Sequence, residues 1–383
     1  MGERDDKSEV VRPADGTLGR RDFLKRGAVT VAAAGATAGA AWWLHDPTGK
    51  AGLSQPQPET LKNYFAGVDY RVDAPRLSIA RGRAGNVDWM VRAAVGGLGG
   101  DAGMGRFVSR GDIVLVKPNV GFERAPKYGA NTNPDVVRSV VRLCIEAGAD
   151  RVVVADNPIE SPQSCFARSG IRQAALEEGA KVTIPARIHF RPIAVRPPQP
   201  DGTPYQPDPT RHEALGTWPI FWEPLREADK VIGIPVIKDH NLCYASMGMK
   251  NWYGLLGGRR NQFHQAIHDI ISDLGLMMSP TLTIADGTRV MTRNGPTGGR
   301  LDDVRQMNTV VASVDPLACD AWCYQNLLGR DPAALRYLEL AERKFGETET
   351  GERSYAESRR FGTRDWTAYR RQGKIAEQQS ATL

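Results

Sequence analysis

The sequence predicts an α/β protein, a mostly parallel sheet flanked by helices with room for two lobes around a cleft. Three observations predict it. Apolar runs of strand length recur without alternation, at Ile113-Val114-Leu115-Val116, Val152-Val153-Val154-Ala155, Val231 to Ile237, and Leu282-Thr283-Ile284-Ala285. Strands covered on both faces read this way, and parallel sheets are covered on both faces. Between the runs, apolar residues return at helical spacing. The runs also end on polar residues, Lys117, Asp156, Lys238 and Asp286, which a parallel sheet gathers along one rim.

Taken in order, residues 1–45 read as an address rather than as fold. Gly19-Arg20-Arg21-Asp22-Phe23-Leu24-Lys25 precedes an alanine-rich apolar segment from Gly27 to Ala41, and Ala38-Gly39-Ala40 offers small residues for cleavage. This resembles a twin-arginine export signal. The resemblance implies the twin-arginine translocase as a partner and a periplasmic or otherwise extracytoplasmic destination. It also implies a route used by proteins that fold, and often load a cofactor, before export. The apolar run falls short of the roughly 20 residues that span a bilayer, so membrane attachment is expected only through an uncut signal, with Trp42, Trp43 and Leu44 lengthening it.

Residues 46–75 read as a linker, with Pro47, Pro56 and Pro58. The α/β domain is expected over 76–330. Leu77 to Ala80 is a first strand. Val87, Met90, Val91, Ala94, Val95 and Leu98 form one helical face behind an Asn86 cap. The Ile113 strand follows, then a helix opened by Asn133-Pro134 and stopped by Gly148. After the Val152 strand, Gln163 to Glu178 reads as one helix and Val182 to Ile184 as a short strand. The proline-rich stretch 191–224, with Trp218 and Trp222, is an excursion of the kind that serves either as a lid or as a passive insertion. Val231 to Ile237 reads as one strand stopping at Lys238-Asp239-His240. Phe263, Ile267, Ile270, Ile271, Leu274 and Met278 mark a helix that also carries His264 and His268 one turn apart. Asn308 to Ser313 is the last strand, and Asp315-Pro316 opens a helix to Leu328. Residues 331–383 read as a charged helical extension.

Much of the net charge of +6 comes from scattered arginines and the basic N-terminal region, and isolated pairs such as Arg259-Arg260 and Arg370-Arg371 read mainly as solvated surface. Nucleic acid is not expected as a partner, because no cluster interleaves basic and aromatic residues. The five cysteines lack C-x-x-C spacing, so no iron–sulfur motif is present. Cys319 and Cys323 fit core positions. There is no G-x-S-x-G elbow and no G-x-G-x-x-G after a strand, so serine hydrolase and dinucleotide-binding readings fail.

The chemistry concentrates between Lys230 and His268. Strand ends and adjoining loops supply Lys117, Asn119, Asp156, Lys238, His240, Lys250, Asn251 and Asp286, which topology brings toward one crevice. Lys117, Asn119, Lys238 and Asn251 are candidates to bind an anionic substrate. Lys250, His240, His264 and Asp286 are candidates for catalysis. Lys250, in a largely apolar run, would be desolvated into a base, a nucleophile or a covalent anchor; otherwise it is an anion clamp. Asp286 would orient a histidine. His240 and His264 flank a glycine-rich corner (Gly254, Gly257, Gly258) and are candidate metal ligands, with Asp239, His268 or a cofactor completing the set. Gln265 stands where a zincin has glutamate.

Several of these residues also carry a family resemblance. The Lys-x-His after a buried strand, the run Gly248-Met249-Lys250-Asn251-Trp252-Tyr253-Gly254-Leu255-Leu256, Lys117-Pro118-Asn119, Asp286-Gly287, Asn294-Gly295-Pro296 and the run from Ser313 to Trp322 resemble the domain-of-unknown-function 362 family. The family usually has Lys-Thr-His where this chain has Lys238-Asp239-His240. A fainter resemblance reaches the nickel-pincer lactate racemases, which set lysine and histidine around a glycine-rich turn. Together these readings give two expectations: an exported metal- or cofactor-dependent enzyme acting on a small anionic substrate, or a periplasmic protein that binds or carries such an anion without turnover.

Overall fold

The computed structural model describes residues 59–68, 74–199, 203–347 and 366–380. They all belong to one compact unit, Pro58–Leu383; a second unit, Met1–Gln57, holds none of them. The export address therefore lies outside the described residues, and the expectation of two lobes has no counterpart within them. Among the described residues no helix is long and apolar enough to cross a membrane.

The strands are β1 (Leu77–Arg81), β2 (Ile113–Pro118), β3 (Arg151–Ala155), β4 (Lys181–Thr183), β5 (Phe190–Ala194), β6 (Thr217–Phe221), β7 (Lys230–Ile234), β8 (Val236–His240), β9 (Tyr244–Ser246), β10 (Leu282–Met291), β11 (Val304–Ser313) and β12 (Ile375–Gln379). The helices are α1 (Val87–Gly99), α2 (Pro134–Glu146), α3 (Pro162–Arg168), α4 (Ile171–Glu177), α5 (Gly248–Asn251), α6 (Ile267–Met277), α7 (Pro316–Asn326), α8 (Arg336–Glu347) and α9 (Trp366–Arg371). The main sheet has the order β12-β1-β11-β10-β7-β2-β3-β4, with β8 beside β10 and β9 beside β8. β11 runs antiparallel to both its neighbours, and β9 to β8. The other pairings are parallel, so the expected mostly parallel sheet is present.

Alternate residues of each strand enter two cores. Leu115, Val153, Val231, Ala285 and Val311 face α6, α7 and α8, while Val114, Val116, Val154, Ile232 and Val310 face α1 and α2. Both faces are covered, which is why these strands are apolar throughout.

Local chemistry explains most boundaries. Asn133 caps α2 by accepting the Asp135 N–H, and Asp315 caps α7 by accepting from Leu317 and Ala318. Asn86 precedes α1 but makes no side-chain cap bond. The single helix expected from Gln163 to Glu178 is two, α3 and α4, broken at Gly170, whose φ is 74°. The single strand expected from Val231 to Ile237 is also two. Pro235 lacks an N–H for the ladder, so β7 stops at Ile234, and β8 leaves β2 and pairs with β10. β8 then runs on through Lys238, Asp239 and His240 instead of stopping before them.

Three further departures come from contacts that sequence periodicity does not report. β10 continues past Asp286 to Met291 across an irregularity after Gly287. Part of the presumed linker is packed: Tyr64 is buried, and its N–H and C=O bond to Ser279 O and Thr281 Oγ1. The C-terminal extension is not helical to its end, because β12 joins the sheet parallel to β1. The proline-rich excursion contributes the antiparallel β5–β6 pair. Its Trp218 Nε1 donates to Gly257 O at 2.9 Å, and Pro219 O accepts the Gly257 N–H at 2.8 Å.

The sheet's middle leaves no space at Gly233 of β7, where a Cβ would lie 2.8 Å from the ring of the buried Trp252. Gly233→Ala is expected to destabilise the protein by roughly 1–3 kcal/mol, as overpacking does in well-filled cores. Urea unfolding measures this, and an unchanged midpoint would show that the tryptophan yields without strain.

Candidate functional site

A cavity of about 180 Å³ opens at the carboxyl ends of β2, β3 and β8. It is a space for a small molecule. Of the residues singled out in the sequence, Asn119, Lys238, His240, Lys250 and His264 line it, together with Asp156. Lys117 and Asn251 lie directly behind that wall, bonded to residues in it. Asp286 does not line it.

The floor is a buried ion pair. Lys117 Nζ lies 2.6 Å from Asp156 Oδ1, with both side chains out of solvent. Lys117 also donates to Pro118 O at 3.1 Å and Asn251 Oδ1 at 3.3 Å, and Asn251 Nδ2 donates back to Lys117 O at 3.1 Å. Asp156 Oδ2 accepts the Val120 N–H at 2.7 Å. Burial lowers the pKa of Lys117, against the pull of Asp156.

Two more lysines stand above this floor in different states. Lys238, fully buried at the end of β8, donates to Asn119 Oδ1 at 2.9 Å and to Ala130 O, and lies 5.0 Å from the Phe122 ring centroid. No carboxylate among the described residues pairs with it. Burial, and then the neighbouring Lys250, bring its pKa down to about 7. Lys250, on α5, has neither a hydrogen bond nor an ion pair to any described residue. Its Nζ lies 5.0 Å from the Tyr253 ring centroid. Burial lowers its pKa, and Arg260 acts in the same direction. The turn that presents Lys250 is fixed from below, where Asp320 of α7 accepts the Gly248 N–H at 2.6 Å and the Met249 N–H at 3.0 Å.

Arg260 is the cation that sequence reasoning missed by treating Arg259-Arg260 as surface. It is buried and bound only to carbonyls, donating to Tyr253 O, Leu256 O, Asn157 O and Pro158 O at 2.7–3.3 Å. Nothing in the paired arginines marks which one turns inward. The available signal was the glycine-rich corner, whose bent backbone leaves carbonyls that need donors.

The histidines divide. Leu242 N–H donates to His240 Nδ1 at 3.2 Å. Burial, followed by Lys250 and Lys238, lowers the His240 pKa to about 2, so the ring is neutral and its proton sits on Nε2. A metal-bound histidine instead donates from its second nitrogen to an acceptor, so His240 does not fit as a ligand. His264 Nδ1 meets Asn261 O at 2.9 Å, the pattern that suits a ligand, but it stands alone. No group of three or more His, Cys, Asp or Glu able to hold a metal occurs among the described residues. His264 precedes α6 instead of sharing it with His268. His268 lies outside the cavity, its ring 5.8 Å from that of Tyr244 and 6.3 Å from that of Tyr337.

Asp239 and Asp286 brace the surroundings. Asp286 accepts the Asn133 N–H at 2.7 Å and the Thr288 N–H and hydroxyl at 2.9 and 2.6 Å, so it bonds no histidine. Asp239 bonds Arg330 and the Gly295 N–H. No described residue of the 191–224 excursion lines the cavity, and its β5–β6 pair braces the Gly257 corner.

Comparison with known proteins matches this chain to a family model described as "Domain of unknown function (DUF362)" over residues 114–325, more than half of its length. Thylakoid-associated protein sll1697 from Synechocystis sp. is 28% identical over 249 residues, covering 63% of this chain and 70% of that protein. The lactate racemase apoprotein from Thermoanaerobacterium thermosaccharolyticum matches with a TM-score of 0.35 at 12% identity, over 65% of this chain and 56% of that structure.

The buried lysines give stability a definite pH dependence. Lys238 binds its proton less tightly when folded, at about 7, than when unfolded, near the ordinary lysine value of about 10.4. Between these values the unfolded chain holds more protons, so stability rises with pH. Below about 7 both states are protonated, and the cost of burying the ammonium is felt in full. Lys117 and Lys250 shift in the same direction. Lys238→Met should therefore flatten the rise in unfolding free energy between pH 7 and 10 without abolishing it. Equal slopes in wild type and variant, measured by urea unfolding, would sink this account.

Proposed function

We propose that this chain, which belongs to the DUF362 family, holds a small anionic substrate in the cavity and acts on it as an enzyme, with Lys250 as proton acceptor and His240 as hydrogen-bond donor. The observation that carries this reading is the state of Lys250. Lys117 has Asp156, and Lys238 has Asn119 and a carbonyl, whereas the Lys250 amine reaches the cavity with no acceptor among the described residues. Desolvation beside other cations lowers an amine's proton affinity, toward the unprotonated form that a general base requires. A bound anion would supply the negative charge that Asp156 alone does not balance. The neutral His240 presents an Nε2–H, suited to donate to an oxyanion.

Metal dependence is not part of this reading, because His240 accepts an N–H where a ligand would donate one. Whether the bound anion turns over or is only carried is decided at Lys250. Cyanate, a small anion whose conjugate acid carbamylates neutral amines, tests that residue in the full chain. At pH 7, Lys250 should be carbamylated well ahead of the exposed Lys127, and acetate or phosphate should protect it. Peptide mapping by mass spectrometry reads the order. If Lys250 reacts no faster than Lys127 while the anions still bind, the protein is a carrier with a clamping lysine.

The location belongs to the same proposal. The Arg20-Arg21 signal and a relative named for its association with thylakoids support a membrane-associated or extracytoplasmic site of action. Arg20→Lys with Arg21→Lys should leave the protein folded and retained in the cytoplasm. Undiminished export of that variant, followed by cell fractionation, would overturn the twin-arginine route.

A further inference from the structure

We infer that the ligand of this cavity is an anion with a short apolar tail, its charged head among Lys238, Lys250 and His240 and its tail against Phe122, Ile159 and Leu242 at the mouth. The inference rests on the anion reading above and names the substrate class within it. Ile159 and Leu242 are large aliphatic side chains left 54% and 49% exposed, and both line this cavity. Isolated exposed aliphatic residues need no explanation. These two are not isolated, because they arrive from separate loops, after β3 and after β8, at the rim of one cationic cavity.

Both are held by their backbones. The Ile159 N–H donates to Gly121 O at 3.2 Å, and the Leu242 N–H donates to His240 Nδ1 at 3.2 Å. Their side chains are thus presented from fixed positions. The Leu242 bond also links the rim to the head site, since it sets the His240 tautomer. Phe122 continues the apolar wall inward, with its ring beside the Lys238 ammonium. A compact ion such as phosphate would use the floor and leave this wall wet. A carboxylate bearing a few carbons would use both, burying apolar surface that is otherwise exposed.

Calorimetric titration of the full chain with acetate, butanoate, hexanoate and inorganic phosphate tests this. Affinity should rise roughly fourfold for each methylene buried, the factor that corresponds to about 0.8 kcal/mol, until the chain outgrows the rim. Ile159→Ser combined with Leu242→Ser should flatten the series, reducing the gain from acetate to hexanoate. Ile188→Ser, an exposed aliphatic residue outside the cavity, should leave the whole series as in wild type. A flat wild-type series, with acetate and phosphate binding that is lost in Lys250→Met, would overturn the tail and leave the anion site standing. Absence of binding by every anion, or binding indifferent to Lys250→Met, would overturn the anion reading itself. Because the wild-type series needs no substitution, a folding defect in a variant cannot decide whether the tail is recognised.

Discussion

The site depends on the ion pair between Lys117 and Asp156. It joins the carboxyl ends of β2 and β3, and through Asn251 and Gly254 it fixes the chain that carries Lys250. The fit at Gly254 shows how tightly it is enclosed: a Cβ there would lie 2.1 Å from Asp156 Oδ1 and 2.8 Å from Lys117 Nζ. A buried pair of this kind adds little net stability over an apolar replacement, but leaving one partner alone costs about 3–5 kcal/mol. Its value is therefore positional. The Val120 N–H, the Asn251 amide and the Lys117 backbone carbonyl all take their places from it.

Above that pair the charges do not balance. Lys238, Lys250 and Arg260 bring three cationic groups to the cavity, and Asp156, already engaged, is the only carboxylate among the described residues that line it. Carbonyls compensate part of the deficit, at Ala130 for Lys238 and at the 253–256 and 157–158 turns for Arg260. Carbonyl dipoles satisfy donors without cancelling charge, so burial still depresses both lysines. An incoming anion relieves repulsion among groups that the fold holds close together. Recognition of anions then follows from the packing itself.

Much of this arrangement was legible in the sequence. The doubly buried strands announce the parallel sheet, and the Asn133 and Asp315 caps announce two helices. Polar residues at strand ends point to the correct rim, which is why Asn119, Lys238, His240 and Lys250 were found together. What remained hidden was set by distant contacts. β12 pairs with β1 across almost the whole chain. Arg260 turns inward because of carbonyls in two separate turns. Asp286 looked like a strand end because the apolar run stops there, yet the ladder continues to Met291 and the carboxylate serves Asn133 and Thr288. His264 looked helical because a period-four spacing does not distinguish an α-helix from the tighter turns that precede α6.

The aspartate at position 239 acts on the site without entering the chemistry. Successive strand side chains face opposite ways, so Asp239 points away from the surface that Lys238 and His240 share. Its carboxylate bonds Arg330 at 2.6 Å and the Gly295 N–H at 2.9 Å. Arg330 donates in turn to Tyr244 O and to Thr292 O. The loop so held packs against the strand, since a Cβ at Gly295 would lie 2.0 Å from Asp239 O, and it carries Pro296 and Thr297 into the cavity wall. A threonine hydroxyl in its place could accept the Gly295 N–H, but it is neutral and has no second oxygen to hold a guanidinium. Asp239 therefore ties one wall of the site to the segment after α7, and its effect on a ligand passes through the position of Pro296 and Thr297.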